Sequence, residues 1–199
     1  MTMRFWMVTV TVIALTLAAG LGLSEEKEPT VLLLVSPTKN HPAEYGVTRR
    51  VLELSRCKVR VACKVPFAKD MNGRTIPVDL TLEQVRPVDC EAVAIIGGYS
   101  VWKYVGDPEV NRLLFGFCDS GKHVGAICAG TYVLGKAGLL KDRRVTGAGS
   151  RKLRSYGAMY VGGLVQQDGK IITAQGPSAS EAFGKALAEA VTKTLGTGN

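Results

Sequence analysis

Gly125-Ala126-Ile127-Cys128-Ala129-Gly130 decides how this chain folds. Val124 to Ile127 is an apolar run suited to a strand buried on both faces, and a helical segment starts at Gly130 with no loop between. Small residues on either side of Cys128 let strand and helix approach closely, and the sharp turn pushes the cysteine out beyond the sheet's carboxyl edge. In open α/β sheets ligands bind at that edge. The first N–H groups of the following helix are unpaired and favour negative charge. The expectation is a thiol pKa below the reference of ~8.5, with thiolate populated near neutral pH.

The elements on either side are those of an α/β fold. Val31 to Val35 and Ala92 to Ile96 are short apolar runs, read as buried strands. Val59, Val61 and Val65 alternate with other residues in a further strand. Pro42 fits the first turn of a helix reaching to about Ser55, and Asp107 caps a second that begins at Pro108 and ends near Ser120 and Gly121. Asn72-Gly73 and Asp168-Gly169 are hairpin turns. Ser178 with Glu181 reads as a capping box for a terminal helix to about Leu195. Strands alternating with helices give a mostly parallel central sheet covered on both faces, a three-layer α/β/α sandwich.

The chain has 199 residues, 46% of them hydrophobic, enough for one domain with a sizeable core. Its net charge is +8, but the basic residues are spread out. The densest group, Lys141, Arg143, Arg144, Arg151, Lys152 and Arg154, reads as a solvated face, and no nucleic-acid motif accompanies it. Of the five cysteines, Cys57, Cys63, Cys90 and Cys118 lie in or beside apolar segments and read as small core residues. A Cys90–Cys118 or Cys57–Cys63 disulfide stays open. Cysteine and histidine spacing gives no metal site.

Residues 1–24 stand apart. Met1 to Arg4 carries one positive charge, and Phe5 to Leu23 runs for 19 residues with none. Ser24 to Pro29 is abruptly polar, with residues 25–29 a short linker to a domain at 30–199. This is the pattern of a cleaved secretory signal or an uncleaved membrane anchor. Either places the domain outside the cytoplasm, with membrane contact only through the N-terminal segment.

Residues 30 to about 195 resemble the DJ-1/PfpI superfamily, whose fold is flavodoxin-like and shared with class I glutamine amidotransferases. The Cys128 turn resembles that family's nucleophile elbow. Four other stretches match in order: Glu44 ahead of Lys58 to Ala62 (KVRVA), Ile95 to Gly98 (IIGG), Ala137 to Leu140 followed by Arg143 to Thr146 (AGLL, RRVT), and Asp168 to Pro177 (DGKIITAQGP). The resemblance implies that Cys128 is the nucleophile or oxidisable thiol. It implies that Glu44 hydrogen-bonds the sulfur, and that the backbone N–H groups of Gly98 and Ala129 form an oxyanion hole. It also implies a homodimer paired across helices near the site.

The departures narrow the chemistry. Many members have a histidine directly after the cysteine, where this chain has Ala129. Others have one after the Val145-Thr146 match, where Gly147, Ala148 and Gly149 stand. His123 starts the strand that ends before Cys128, and at ~3.3 Å per residue it lies ~16 Å away. His41, in the loop before Glu44, is on the correct edge and is an auxiliary candidate. A Cys-His dyad is therefore not expected, which counts against peptidase and amidotransferase activity. The expected function is cysteine-dependent hydrolase, lyase or deglycase chemistry on small carbonyl compounds, without cofactor or metal. The alternative is a non-enzymatic redox or carbonyl-stress protein in which Cys128 oxidises.

Overall fold

Thr30–Leu34 forms β1, fully buried from Val31 onward, and its alternate residues feed two separate cores. Val31 and Leu33 face one side of the sheet, Leu32 and Leu34 the other, the period-2 geometry of a strand covered twice. The computed structural model describes residues 28–196. After β1 come α1 (Pro42–Leu54), β2 (Lys58–Cys63), β3 (Phe67–Lys69), β4 (Thr75–Pro77) and β5 (Leu80–Thr81). β6 (Ala92–Ile95), α2 (Pro108–Asp119), β7 (His123–Ile127) and α3 (Thr131–Lys136) follow. The chain closes with β8 (Arg144–Val145), α4 (Ser150–Ser155), β9 (Met159–Tyr160), β10 (Val165–Asp168), β11 (Ile171–Ala174) and α5 (Ser180–Gly196).

Among the described residues the main sheet has seven strands in the order β10-β11-β7-β6-β1-β2-β5. All run parallel except β10, which pairs antiparallel with β11 across the Asp168-Gly169 turn. Leu52 of α1 and Phe183, Leu187 and Val191 of α5 cover one face. Val110, Leu114 and Phe117 of α2 and Val133 and Leu134 of α3 cover the other. This is the expected α/β sandwich. The order reverses between β1 and β6, because the chain builds outward through β2 and then returns to the far side of β1. Such a switch point opens a crevice at the carboxyl ends of the strands.

Local signals explain most boundaries. Asp107 Oδ1 accepts from the N–H groups of Glu109 and Val110, a cap contributing about 1 kcal/mol, with Pro108 in the first turn. The Asn72-Gly73 turn joins β3 and β4 in a small hairpin outside the main sheet. One expectation is corrected and one open alternative is closed. Ser178 does not cap the terminal helix: Pro177–Ala179 forms a 3-10 turn first, and Ser180 Oγ donates to the Pro177 carbonyl as α5 begins. Pro177, with its fixed φ, favours that tighter entry. Nor does either disulfide form: all five thiols are free, Cys57, Cys63 and Cys90 buried and Cys118 half-buried. The apolar Phe5–Leu23 segment lies outside the described residues. Among those described, no helix is long and apolar enough to cross a membrane.

Candidate active site

Strand register lines up the pieces of the site. Leu34, Ile95, Ala126 and Thr173 stand side by side across β1, β6, β7 and β11. Two residues further on, the chain leaves the sheet at Ser36, Gly97, Cys128 and Gln175. Four loops therefore meet at one edge, at the switch point.

Cys128 has φ +55, a conformation rarely adopted by residues with a side chain and costing roughly 1–3 kcal/mol. It persists because its surroundings hold it. Thr131 Oγ1 donates to the Cys128 carbonyl at 2.6 Å, and the Ala129 N–H faces the sulfur. A β-carbon on Gly176 would lie 3.8 Å from Cys128 Sγ, so the loop after β11 forms one wall of the site.

Glu44 comes from the first turn of α1 and is fully buried. Neither carboxyl oxygen has a well-aligned hydrogen bond. The groups facing it are the Cys128 thiol and the Gly97 N–H. Burial without a balancing cation disfavours the carboxylate and pushes Glu44 up to about 7, although the contacts with Cys128 and Gly97 work the other way. The carboxyl is thus largely neutral at pH 6.

The expected lowering of the Cys128 pKa is corrected. Burial, then the negative charge of an ionised Glu44, push the thiol up to about 12, and the Ala129 N–H only partly offsets them. The helix after the elbow is weaker than its sequence suggests. Cys128–Gly130 is a 3-10 turn and α3 is only six residues long, so few aligned peptide dipoles stand behind the sulfur. Repulsion from Glu44 disappears when that carboxyl holds a proton.

Gly97 and Gly98 are needed for different reasons. A β-carbon on Gly97 would collide with Glu44 Oε2 and lie 2.9 Å from the Ile127 carbonyl oxygen. Gly98 has φ +126 and faces Asn40 across an isolated bridge in which His41 N donates to Gly97 O and Tyr99 N to Lys39 O. In such a pair the intervening residue's own N–H points away from its partner, so that of Gly98 turns away from Asn40.

The structure brings Cys128, Glu44, Gly98 and Ala129 to one edge. The His41 backbone joins them there, but its half-buried imidazole forms no hydrogen bond through Nδ1, and burial lowers its pKa. His123 lies at the opposite end of β7, within 3.2 Å of Thr194 Oγ1. A histidine at position 147 would force its neighbours to shift, because a β-carbon on buried Gly147 would lie 2.5 Å from Thr131 Oγ1 and 2.8 Å from Leu153 Cδ1. Among the described residues no three His, Cys, Asp or Glu side chains gather as a metal site. Of the basic group, Arg143 pairs with Asp168 at 3.2 Å, and Lys152 and Arg154 lie over the rings of Tyr156 and Tyr160.

Several residues escaped the sequence reading. Asn40 is fully buried, accepts from Ser36 N and Oγ, and donates to the carbonyls of Ser36 and Lys69. It folds the loop that delivers Glu44 and ties it to the β3–β4 hairpin. An asparagine in a Ser-Pro-Thr-Lys-Asn loop signals a turn, but not these long-range partners. Thr131 and the aromatic pair Trp102 and Tyr132 also border the site.

A model of the DJ-1/PfpI family matches residues 29–190. The chain belongs to the DJ-1/PfpI family. It is 30% identical over 173 residues to an uncharacterized protein of Methanocaldococcus jannaschii, covering 84% of each chain. It is 27% identical to a glutathione-independent glyoxalase of Caenorhabditis elegans, covering 81% of this chain and 88% of that one. In fold it is similar to a ThiJ/PfpI domain protein from Brachyspira murdochii, with TM-score 0.80 and 24% identity over 84% of this chain and 99% of that one.

Proposed function

We propose that this protein is a cysteine-dependent enzyme acting on small reactive carbonyl compounds, with glyoxalase- or deglycase-type chemistry. The observation that carries the reading is the placement of the Cys128 sulfur, on a strained elbow, against a buried Glu44 carboxyl whose pKa is pushed up to about 7. The similarity to a glyoxalase of Caenorhabditis elegans supports it.

The chemistry follows from the pair. Cys128 Sγ adds to an aldehyde carbon, forming the C–S bond while the carbonyl π electrons move to oxygen. The N–H groups of Gly98 and Ala129 stabilise that oxyanion, which takes a proton to complete a hemithioacetal. With a 2-oxoaldehyde, Glu44 as carboxylate removes the proton from the hemithioacetal carbon and returns one to the adjacent carbon. Water then hydrolyses the resulting thioester, releasing a 2-hydroxy acid and restoring the thiol. Glu44 is suited to this because a carboxyl with a pKa of about 7 gives and takes protons readily near neutrality.

A second reading has its own support. The carboxyl oxygens lack well-aligned partners. Cys128 oxidised by a peroxide to the sulfinate would accept a hydrogen bond from protonated Glu44, making the protein a redox or carbonyl-stress sensor. The proposal also places the domain outside the cytoplasm, on the strength of Phe5 to Leu23, and includes a homodimer.

Incubating the purified protein with methylglyoxal, with Cys128→Ser as control, separates the readings. The enzyme reading requires catalytic formation of lactate that Cys128→Ser abolishes. One equivalent of adduct per chain without turnover would overturn it in favour of the sensor.

A further inference from the structure

The 3-10 turn Tyr99–Tyr104 follows directly on Gly98 and packs against the turn Cys128–Gly130. It carries Trp102, which remains 50% exposed. One face of the indole lies on the Tyr132 ring, with centroids 4.8 Å apart and planes inclined by 28°. The exposed half therefore belongs largely to the other face and the ring edge. Tyr132 is four residues beyond Cys128, is only 8% exposed, and interacts electrostatically with the thiol. Gly149 makes room for its hydroxyl, since a β-carbon there would lie 2.6 Å from it. The buried tyrosine thus acts as a fixed support for an open indole face on the turn that packs against Cys128–Gly130.

We propose that Trp102, supported by Tyr132, forms an aromatic subsite beside Cys128 that stacks a flat apolar substituent of the carbonyl substrate. Aryl-substituted carbonyl compounds then engage the cysteine in preference to short alkyl ones. The proposal rests on the reading of Cys128 as the group that attacks carbonyl carbon. The two ends of the site differ in kind: backbone N–H groups of Gly98 and Ala129 serve a developing oxyanion, while an indole face serves an aromatic ring. Ring pairs attract in offset-stacked or edge-to-face arrangements with centroids ~4.5–7 Å apart. A methyl group is too small to cover the indole and gains little from it.

The test uses the full-length protein and two α-bromoketones, phenacyl bromide and bromoacetone, which differ by phenyl for methyl. In each case the thiolate forms the S–C bond as bromide leaves with the C–Br electrons. Rates at Cys128, read by mass spectrometry, are normalised to those of free cysteine. The native protein should prefer the phenyl reagent by roughly three- to tenfold. Trp102→Ala should lose that preference, its normalised phenacyl bromide rate falling to the level of its bromoacetone rate, and Trp102→Phe should keep most of it. Trp102→Leu, which keeps bulk without a π face, takes the place of an alanine variant that fails to fold.

Equal normalised rates in the native protein, or a preference surviving Trp102→Ala and Trp102→Leu, would overturn the subsite. So would an unchanged preference in a Trp102→Ala protein that passes from dimer to monomer, since the indole would then be an interface residue. No modification of Cys128 by either reagent would remove the underlying reading and the subsite together. Selective alkylation in a protein that turns over no 2-oxoaldehyde would overturn the enzyme and leave the subsite standing.

Discussion

The Glu44 carboxyl is wholly buried against the Cys128 sulfur, and its charge is the second reason, after burial, that the thiol holds its proton so tightly. Between about pH 7 and about pH 12 the two groups hold a single dissociable proton. With the proton on sulfur the carboxylate carries the charge; with it on Glu44 the thiolate does. These forms have the same net charge and differ by one short proton transfer. The titration therefore belongs to the pair.

Alkylation of Cys128 by iodoacetamide should accordingly rise with an apparent pKa near 7 and then level off. Glu44→Leu should move that rise upward, because no carboxyl remains to take the thiol's proton while burial persists. Glu44→Gln, whose amide still donates a hydrogen bond, should move it less. Thiolate absorbance across a pH series, with Cys128→Ser as blank, measures the order. A downward move in both variants would mean that Glu44 acts only as a repelling charge. Cys128 should also label first: it stands at the open edge of the sheet beside a carboxyl that can take its proton, whereas Cys57, Cys63 and Cys90 are buried and Cys118 has no such partner.

Stability should fall with rising pH through the Glu44 titration. The carboxyl's ordinary value is 4.5 and its folded value about 7, so between these the folded chain binds more protons than the unfolded one. The stabilisation of the neutral form is complete at low pH and declines as pH rises from about 4.5 to about 7. It amounts to about 3 kcal/mol. Glu44→Gln removes this dependence and should gain on the native chain as pH rises. Urea unfolding of both proteins from pH 4 to pH 8 gives the comparison. A stability difference independent of pH would show that Glu44 titrates normally.

Gly97→Ala and Gly46→Ala should behave in opposite ways. The new methyl at position 97 meets Glu44 Oε2, the Ile127 carbonyl oxygen at 2.9 Å and Cys128 Cβ at 3.0 Å, and the backbone among these cannot yield cheaply. A loss of ~1–3 kcal/mol and slower Cys128 alkylation are expected. Gly46 lies inside α1 with nothing within 4 Å of such a methyl, so alanine there should stabilise by up to ~1 kcal/mol. Denaturant midpoints decide, and a harmless Gly97→Ala would mean that Glu44 does not press on this turn.

Export is tested by fractionation with N-terminal sequencing. A mature start near Glu25 means a cleaved signal, and an intact N-terminus in the membrane fraction means an anchor. Full-length soluble protein in the cytoplasm would rule out both.

The sandwich and the edge that carries the site were legible in the residues themselves. Apolar runs at Val31 to Val35, Ala92 to Ile96 and Val124 to Ile127, with turn and cap residues between them, are local patterns that a buried parallel sheet demands. The sharp strand-to-helix turn at Cys128 was legible too, because the small residues around it leave no room for a loop. Less could be read where partners are distant. Asn40 draws its hydrogen bonds from Ser36 and Lys69, and Trp102 meets Tyr132 only because the loop after β6 folds over the turn after β7. The protonation of the cysteine belongs to the tertiary structure. A cysteine before a helix reads as charged, since unpaired N–H groups favour negative charge, and a protonated Glu44 was implied only by the family resemblance. Packing α1 against the Cys128 loop removes both groups from water, and in that medium desolvation outweighs the few dipoles a six-residue helix supplies.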